Sequence, residues 1–195
     1  TGGDGTEEAK KNTDSVLSGA LEEILAACRS LPSFPPKTFS DPGVHTGNVS
    51  KKIILSDPDT DLPQGYLEPV REGKNITAFH AGPPRKWVWL DPALGDGEYC
   101  RIRDRSRYTG TPILLRQTAN RPIAARHSDP TYFRNSLLAC HGREVASDSV
   151  LLALLNSTLY AFLHRARFID AGQKAFPQVK IKHLHLLPDV PLSLR

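Results

Sequence analysis

The amino-acid sequence predicts a mixed α+β domain with a mixed or antiparallel sheet, long loops and a buried C-terminal helix, preceded by a separate N-terminal helix. Three observations carry this expectation. From Val44 onward short apolar runs recur between Gly, Pro and Asp clusters, the pattern of brief strands divided by turns. The stretch SDSVLLALLNSTLYAFLHRAR, starting at Ser147, is apolar nearly all round in its first half, as a buried helix must be. Residues 14–28 place Val16, Leu17, Ala20, Leu21, Ile24, Leu25 and Cys28 at i, i+3 and i+4 spacing, which puts them on one helical stripe.

Each element follows in order. Asp14 or Ser15 is positioned to cap the first helix, and its apolar face wants a partner surface, either the main domain or a neighbouring one. Four prolines then fall between Pro32 and Pro42, fixing φ and removing backbone donors, so residues 1–35 read as helix plus linker and 36–195 as the main domain. Strands are expected at Ile53 to Leu55, Trp87 to Leu90 and Ile113 to Leu115. The late helix takes Ser147 or Asp148 as its cap. The closing VKIKHLHLLPDVPL reads as an extended segment with His183 and His185 on one face, stopped by prolines.

Composition bounds the function. With 39% hydrophobic and 24% charged residues in 195, the chain has room for an ordinary core and is neither fibrous nor disordered. No apolar run approaches the roughly 18 residues of a membrane span, and the first ten residues are polar and Gly-rich, unlike a signal peptide. Cys28, Cys100 and Cys140 are odd in number and far apart, which supports neither a disulfide framework nor a zinc site and suits a reducing cytoplasm. The chain opens on TGGDG and lacks Met, so we read it as a piece of a longer protein.

The net charge of +4 hides a segregation. Residues 71–143 hold 13 Lys or Arg against 6 Asp or Glu, a net of +7, whereas residues 1–70 hold 6 against 11, a net of −5. A basic middle beside an acidic front fits a face for a polyanion, and equally a solvated Arg-rich surface.

Two strings imitate the loops of an aminomethyltransferase. WLDPALGDGEY, with Asp91, resembles a loop that cradles S-adenosylmethionine, and SDPTYF, with Asp129, a loop that holds a flipped base. A doubly wound sheet needs three further strands and their crossover helices between such loops, well over about 60 residues at roughly 30 per βαβ unit. Asp91 and Asp129 are 38 apart, and the intervening sequence has no amphipathic helical period. A small S-adenosylmethionine-dependent methyltransferase therefore stands as the alternative reading, and a protein-interaction module docking through the first helix as another. His183 and His185 lack an acidic or Cys partner at metal-ligand spacing.

Four ordered segments carry a resemblance. They are GVHTGNVSKKIIL at 43–55, YLEPVREGKNI at 66–76, TPILLRQTANRPIAA at 111–125 followed by YFRNSLLACHG, and LLALLNSTLYAFLHRARFIDAGQKAFPQVKIKHLHLLPDVPL from Leu151. Together they resemble the TaqI-like C-terminal specificity domain of adenine-specific restriction-modification methyltransferases. Lys51 and Lys52 stand where members often place an aromatic, and Asn75 where Asp is common. The resemblance implies a module that reads double-stranded DNA, holds no cofactor itself, and works with an upstream methyltransferase domain that binds S-adenosylmethionine.

The residues suit that role chemically. HTGNVSKK offers a Gly-containing turn in which Thr46, Gly47, Asn48 and Lys51 can meet phosphate oxygens. Arg71 and Lys74 flank the turn of the second segment. Arg116 and Gln117 leave a short apolar strand, and Arg121 closes a tight loop; Arg can address guanine edges and Gln adenine edges bidentately. Lys174 in GQK offers either a further phosphate contact or a simple surface turn. Asn156 and Ser157, inside an apolar helix, read as packing or capping groups rather than DNA contacts.

Overall fold

The computed structural model describes residues 18–57, 65–142, 145–168 and 176–190. The chain divides into two compact units, one of residues up to Phe34 together with Pro188 onward, the other Pro35–Leu187. In the smaller unit a helix (α1) covers 18–29 among the described residues; 14–17 of the expected helix lie outside them. Leu21 and Ile24 are 41% and 42% exposed, whereas Cys28 is buried. An antiparallel bridge pairs Ser33 with Pro188, and the Asp189 N–H donates to the Pro32 carbonyl at 2.7 Å.

The larger unit is mixed α+β. Its strands are β1 (Phe39–Ser40), β2 (Ile54–Leu55), β3 (Leu67–Arg71), β4 (Ile76–Thr77), β5 (His80–Ala81), β6 (Lys86–Trp89), β7 (Ile113–Arg116), β8 (Ala124–Arg126), β9 (Tyr132–Phe133) and β10 (Leu137–Cys140). The helices are α2 (Ser50–Ile53), α3 (Ser106–Thr109), α4 (Val145–Asn156), α5 (Thr158–Arg167) and α6 (Ile181–His185), with a 3-10 turn at Gly73–Asn75. One antiparallel sheet has the order β1-β10-β7-β8; a second, β2-β6-β3-β9, is antiparallel except where β3 runs parallel to β9; β4 and β5 form a small hairpin.

Strand composition explains this layering. The apolar ILL of β7 and LLAC of β10 are buried throughout, as central strands covered on both faces should be, and pair Leu138 with Leu115 and Ala139 with Leu114. In β6 only Val88 is buried while Trp87 and Trp89 are partly covered, the alternation of a strand with one packed face. Val44, Ile53, Val70, Val88, Tyr108, Leu114 and Phe133 belong to one core cluster. Tyr108 meets Tyr132 at 4.5 Å and Phe133 at 5.2 Å between ring centroids.

Three expectations are corrected in detail. Ile53 is not a strand residue: its N–H and that of Lys52 turn back to the Val49 carbonyl, making one helical turn before β2 begins. The long helix breaks at Ser157, where φ −70 and ψ 156 leave the helical region and the hydroxyl accepts the Tyr160 N–H to cap α5. Asn156 supports the break by accepting the Ala124 N–H at 3.0 Å and donating to the Ala124 carbonyl at 2.9 Å. The segment holding His183 and His185 is helical, not extended; His183 is buried and stacks on Phe168 at 4.2 Å, while His185 meets Phe39 edge-on. Among the described residues no helix is long and apolar enough to cross a membrane.

Candidate nucleic-acid interface

The β7-β8 connection is an exposed loop anchored at several points. The Arg116 N–H donates to the Ile123 carbonyl at 2.9 Å, closing it, and Gln117 is held by its N–H to the Ser136 carbonyl and its carbonyl to the Val179 N–H. Thr118 bridges Gln178, and Ala119 and Pro122 are buried, so backbone and apolar anchors fix the loop. Arg116, Gln117 and Arg121 are partly exposed and Asn120 is exposed. Polar edges on a rigid support are what base readout requires, because side-chain ordering then costs little on binding.

The 3-10 turn lies beside Arg116. A Cβ on Gly73 would stand 3.2 Å from the Ser136 carbonyl oxygen, a tight approach, and 3.7 Å from the Arg116 Cγ, an ordinary contact, so the turn packs directly against both. Asn75 ties the turn: its Oδ1 accepts the Glu72 N–H at 2.8 Å, and its Nδ2 donates to the Pro83 carbonyl at 3.0 Å. The second bond needs an amide, which an Asp at this position would lack.

Glu72, mostly buried, is shared by three cations: Arg134 at 2.7 Å, Lys74 at 3.2 Å and Lys86 at 3.3 Å. Burial pushes its carboxyl up, but hydrogen bonds from Arg134, Lys74 and Lys86 outweigh it and hold the group below its ordinary range. Three positive charges on one negative leave two uncompensated, beside Arg116. Arg134 also reaches Thr46 at 3.4 Å, which joins the start of the first segment to this group. Lys74 is 61% exposed at its side chain and presents that charge to solvent.

Other expected contacts have different surroundings. Arg71 is 4% exposed, and its guanidinium binds Asp129 through both Nη atoms, Thr131 Oγ1 at 2.6 Å, His127 Nδ1 at 3.2 Å and the Gly82 carbonyl at 2.9 Å. It is an internal clamp, buried and committed to these partners rather than presented to a phosphate. Gly47, at φ 50, lies under Tyr99, and Asn48 donates to the Gly97 carbonyl while accepting the Tyr99 N–H, both at 3.0 Å. This turn thus fastens the 95–99 loop, with Lys52 paired to Glu98 alongside. Lys51 is exposed on α2. Lys174 lies outside the described residues.

The methyltransferase-like strings take structural roles. Asp91 is exposed in the loop after β6, a strand antiparallel to both its neighbours, which is not the opening of a doubly wound parallel sheet. Asp129 is the acceptor of the Arg71 clamp, and those hydrogen bonds hold its carboxyl below the usual range. The clamp was missed in the sequence because its partners are 58 positions apart.

The clamp predicts a pH dependence. Burial, helped by the neighbouring Arg71 charge, lowers the His127 pKa, and burial likewise lowers that of His141. Arg71 Nη1 stands 3.2 Å from Nδ1, and its positive charge opposes a proton on that ring. The unfolded chain therefore takes up protons below about pH 6.5 that the folded chain resists, and stability falls as pH falls through that region. Thermal melts at successive pH values between 7.5 and 5.5 should show a declining midpoint; a constant midpoint would contradict a neutral buried His127.

The model of the TaqI-like C-terminal specificity domain matches residues 68–188, more than half of the chain. The chain belongs to this family. The match spans β3 through α6 and includes Lys74, Arg116, Gln117 and Arg121, while Thr46, Gly47, Asn48 and Lys51 precede it. No curated protein matches the chain. A specificity-domain family accounts for a fixed polar loop beside an excess of positive charge, and ties the chain to methyltransferase target recognition.

Proposed function

We propose that this chain is the DNA target-recognition domain of an adenine-specific restriction-modification methyltransferase. It positions double-stranded DNA for an upstream catalytic domain that binds S-adenosylmethionine and transfers the methyl group, in the cytoplasm. The observation that carries this reading is the juxtaposition, within the family match, of the fixed β7-β8 loop with the excess charge around Glu72. Arg116, Gln117 and Arg121 supply base-edge donors and acceptors. Lys74, and Lys51 on α2, supply phosphate contacts, with Thr46 held nearby through Arg134; Lys174 is a further candidate. Arg71, Gly47 and Asn48 act indirectly, by holding the loops in place.

The two kinds of contact separate experimentally. Lys74→Ala or Lys51→Ala should weaken binding to cognate and random DNA alike and reduce the salt slope by about one, since one fewer counterion is released. Arg116→Ala should cost about 1–3 kcal/mol on the cognate site alone and relax preference at one base pair. Fluorescence-anisotropy titrations at several salt concentrations, on the protein that includes the catalytic domain, read both. Equal losses on cognate and random DNA would reduce Arg116 to a phosphate contact, and no loss for any of the three would overturn the assignment of this face.

A further inference from the structure

Phe79 occupies a place that the fold alone does not explain. It sits in the two-residue connection of the β4-β5 hairpin, between the paired Thr77 and His80, at φ 67. Gly or Asn ordinarily fills such a position, and a bulky side chain there is strained. Burial of the ring could offset the strain, but Phe79 is 57% exposed. Its backbone is nevertheless pinned: the N–H donates to the Ala124 carbonyl at 2.8 Å and the residue bridges Ala125. The hairpin is therefore fastened to β8, directly beyond the reader loop, with an aromatic ring held outward. Strain that persists without a packing return points to a ligand.

The ring lines an open cavity of about 300 Å³. Its other walls include His80, Arg126, Ser128 and the Arg71–Asp129 pair. Arg126 donates to Ser149 Oγ at 2.9 Å and has no carboxylate at ion-pair distance among the described residues, so its charge is available. A flat apolar face beside a guanidinium, an imidazole, a hydroxyl and a carboxylate matches a nucleotide: the base stacks, its edge meets the polar groups, and the phosphate meets Arg126. A base inside a duplex has both faces covered, so only one turned out of the stack can enter.

We infer that this cavity binds an unstacked nucleobase of DNA, with Phe79 as its stacking platform, an inference that rests on the DNA-recognition reading. The test uses the 195-residue chain and three fluorescent probes: a (dT)12 strand, an abasic strand with the same number of phosphates, and a duplex. The wild type should bind (dT)12 more tightly than the abasic strand, by about 5- to 150-fold for a single stacked base. Phe79→Asn, which tolerates the left-handed backbone, should keep the melting temperature and bring (dT)12 binding down to the abasic level. Phe79→Trp should restore the preference, with its fluorescence quenched on binding. Equal affinity of the wild type for (dT)12 and the abasic strand, or an unchanged preference in Phe79→Asn, overturns the stacking site. If duplex binding and its salt dependence persist in either case, the DNA-recognition reading stands without it; if the chain binds no probe, both fall.

Discussion

Replacing Arg71 with Ala is expected to lower the unfolding free energy of the Pro35–Leu187 unit by about 3–5 kcal/mol. The guanidinium lies within hydrogen-bond distance of the Gly82 carbonyl, the Thr131 hydroxyl, His127 Nδ1 and the Asp129 carboxylate. Its removal leaves two or three buried acceptors unpaired, at about 1–3 kcal/mol each, and a void where the side chain lay. Asp129 adds less, because its side chain is 44% exposed and water can take the place of Arg71. Arg71→Lys should recover little, since an ammonium cannot reproduce the fork that holds both carboxylate oxygens. Urea titration followed by the fluorescence of Trp87 and Trp89, on the strand paired with β3, reads the loss directly. A change below about 1 kcal/mol would mean that solvent or relaxation satisfies these groups and that the clamp holds little together. The outcome also separates the clamp from a phosphate contact, which would change the salt slope of DNA binding and leave the urea midpoint where it was.

The difference between Arg71 and Arg116 shows what the sequence could and could not tell. Both arginines end a strand within the basic middle, and nothing local distinguishes them. Arg116 keeps a partly exposed side chain, while Arg71 meets an acceptor in a loop 58 positions later. That loop, SDPTYF, imitates one that holds a flipped base, and its Asp is committed to a structural partner. The apolar strands β6 and β7 were legible within a residue at each end, since continuous or alternating apolar runs report their own burial. The brief pairings β1, β4, β5 and β9 were not, because two residues carry no period. Asn156 and Ser157 were legible as packing and capping groups from residue chemistry alone, a polar pair inside an apolar helix having few other ways to be satisfied. Phe79 carries no signal in the sequence; only its backbone angle and exposure single it out.

Gly47→Ala is expected to cost about 2–4 kcal/mol, and the reason bears on what the first turn does. At φ 50 any side chain is strained, by about 1–2 kcal/mol. A Cβ would in addition stand 2.0 Å from the Tyr99 carbonyl oxygen and 2.7 Å from its ring, so the 95–99 loop must move. Overpacking of that kind costs about 1–3 kcal/mol, and the movement breaks the two hydrogen bonds by which Asn48 holds Gly97 and Tyr99. Gly97 provides the control within the same loop. Its φ of 73 carries the same backbone strain, but a Cβ there meets nothing within 4 Å. Chemical denaturation of Gly47→Ala and Gly97→Ala side by side therefore isolates the close approach of Tyr99 from the left-handed backbone. If the two variants lose the same stability, glycine stands at 47 for its conformation alone, and the turn remains free to offer its amides to a phosphate. A larger loss at Gly47 identifies the turn as the fastening of the 95–99 loop, and leaves the phosphate contacts to Lys51, Lys74 and the residues around Glu72.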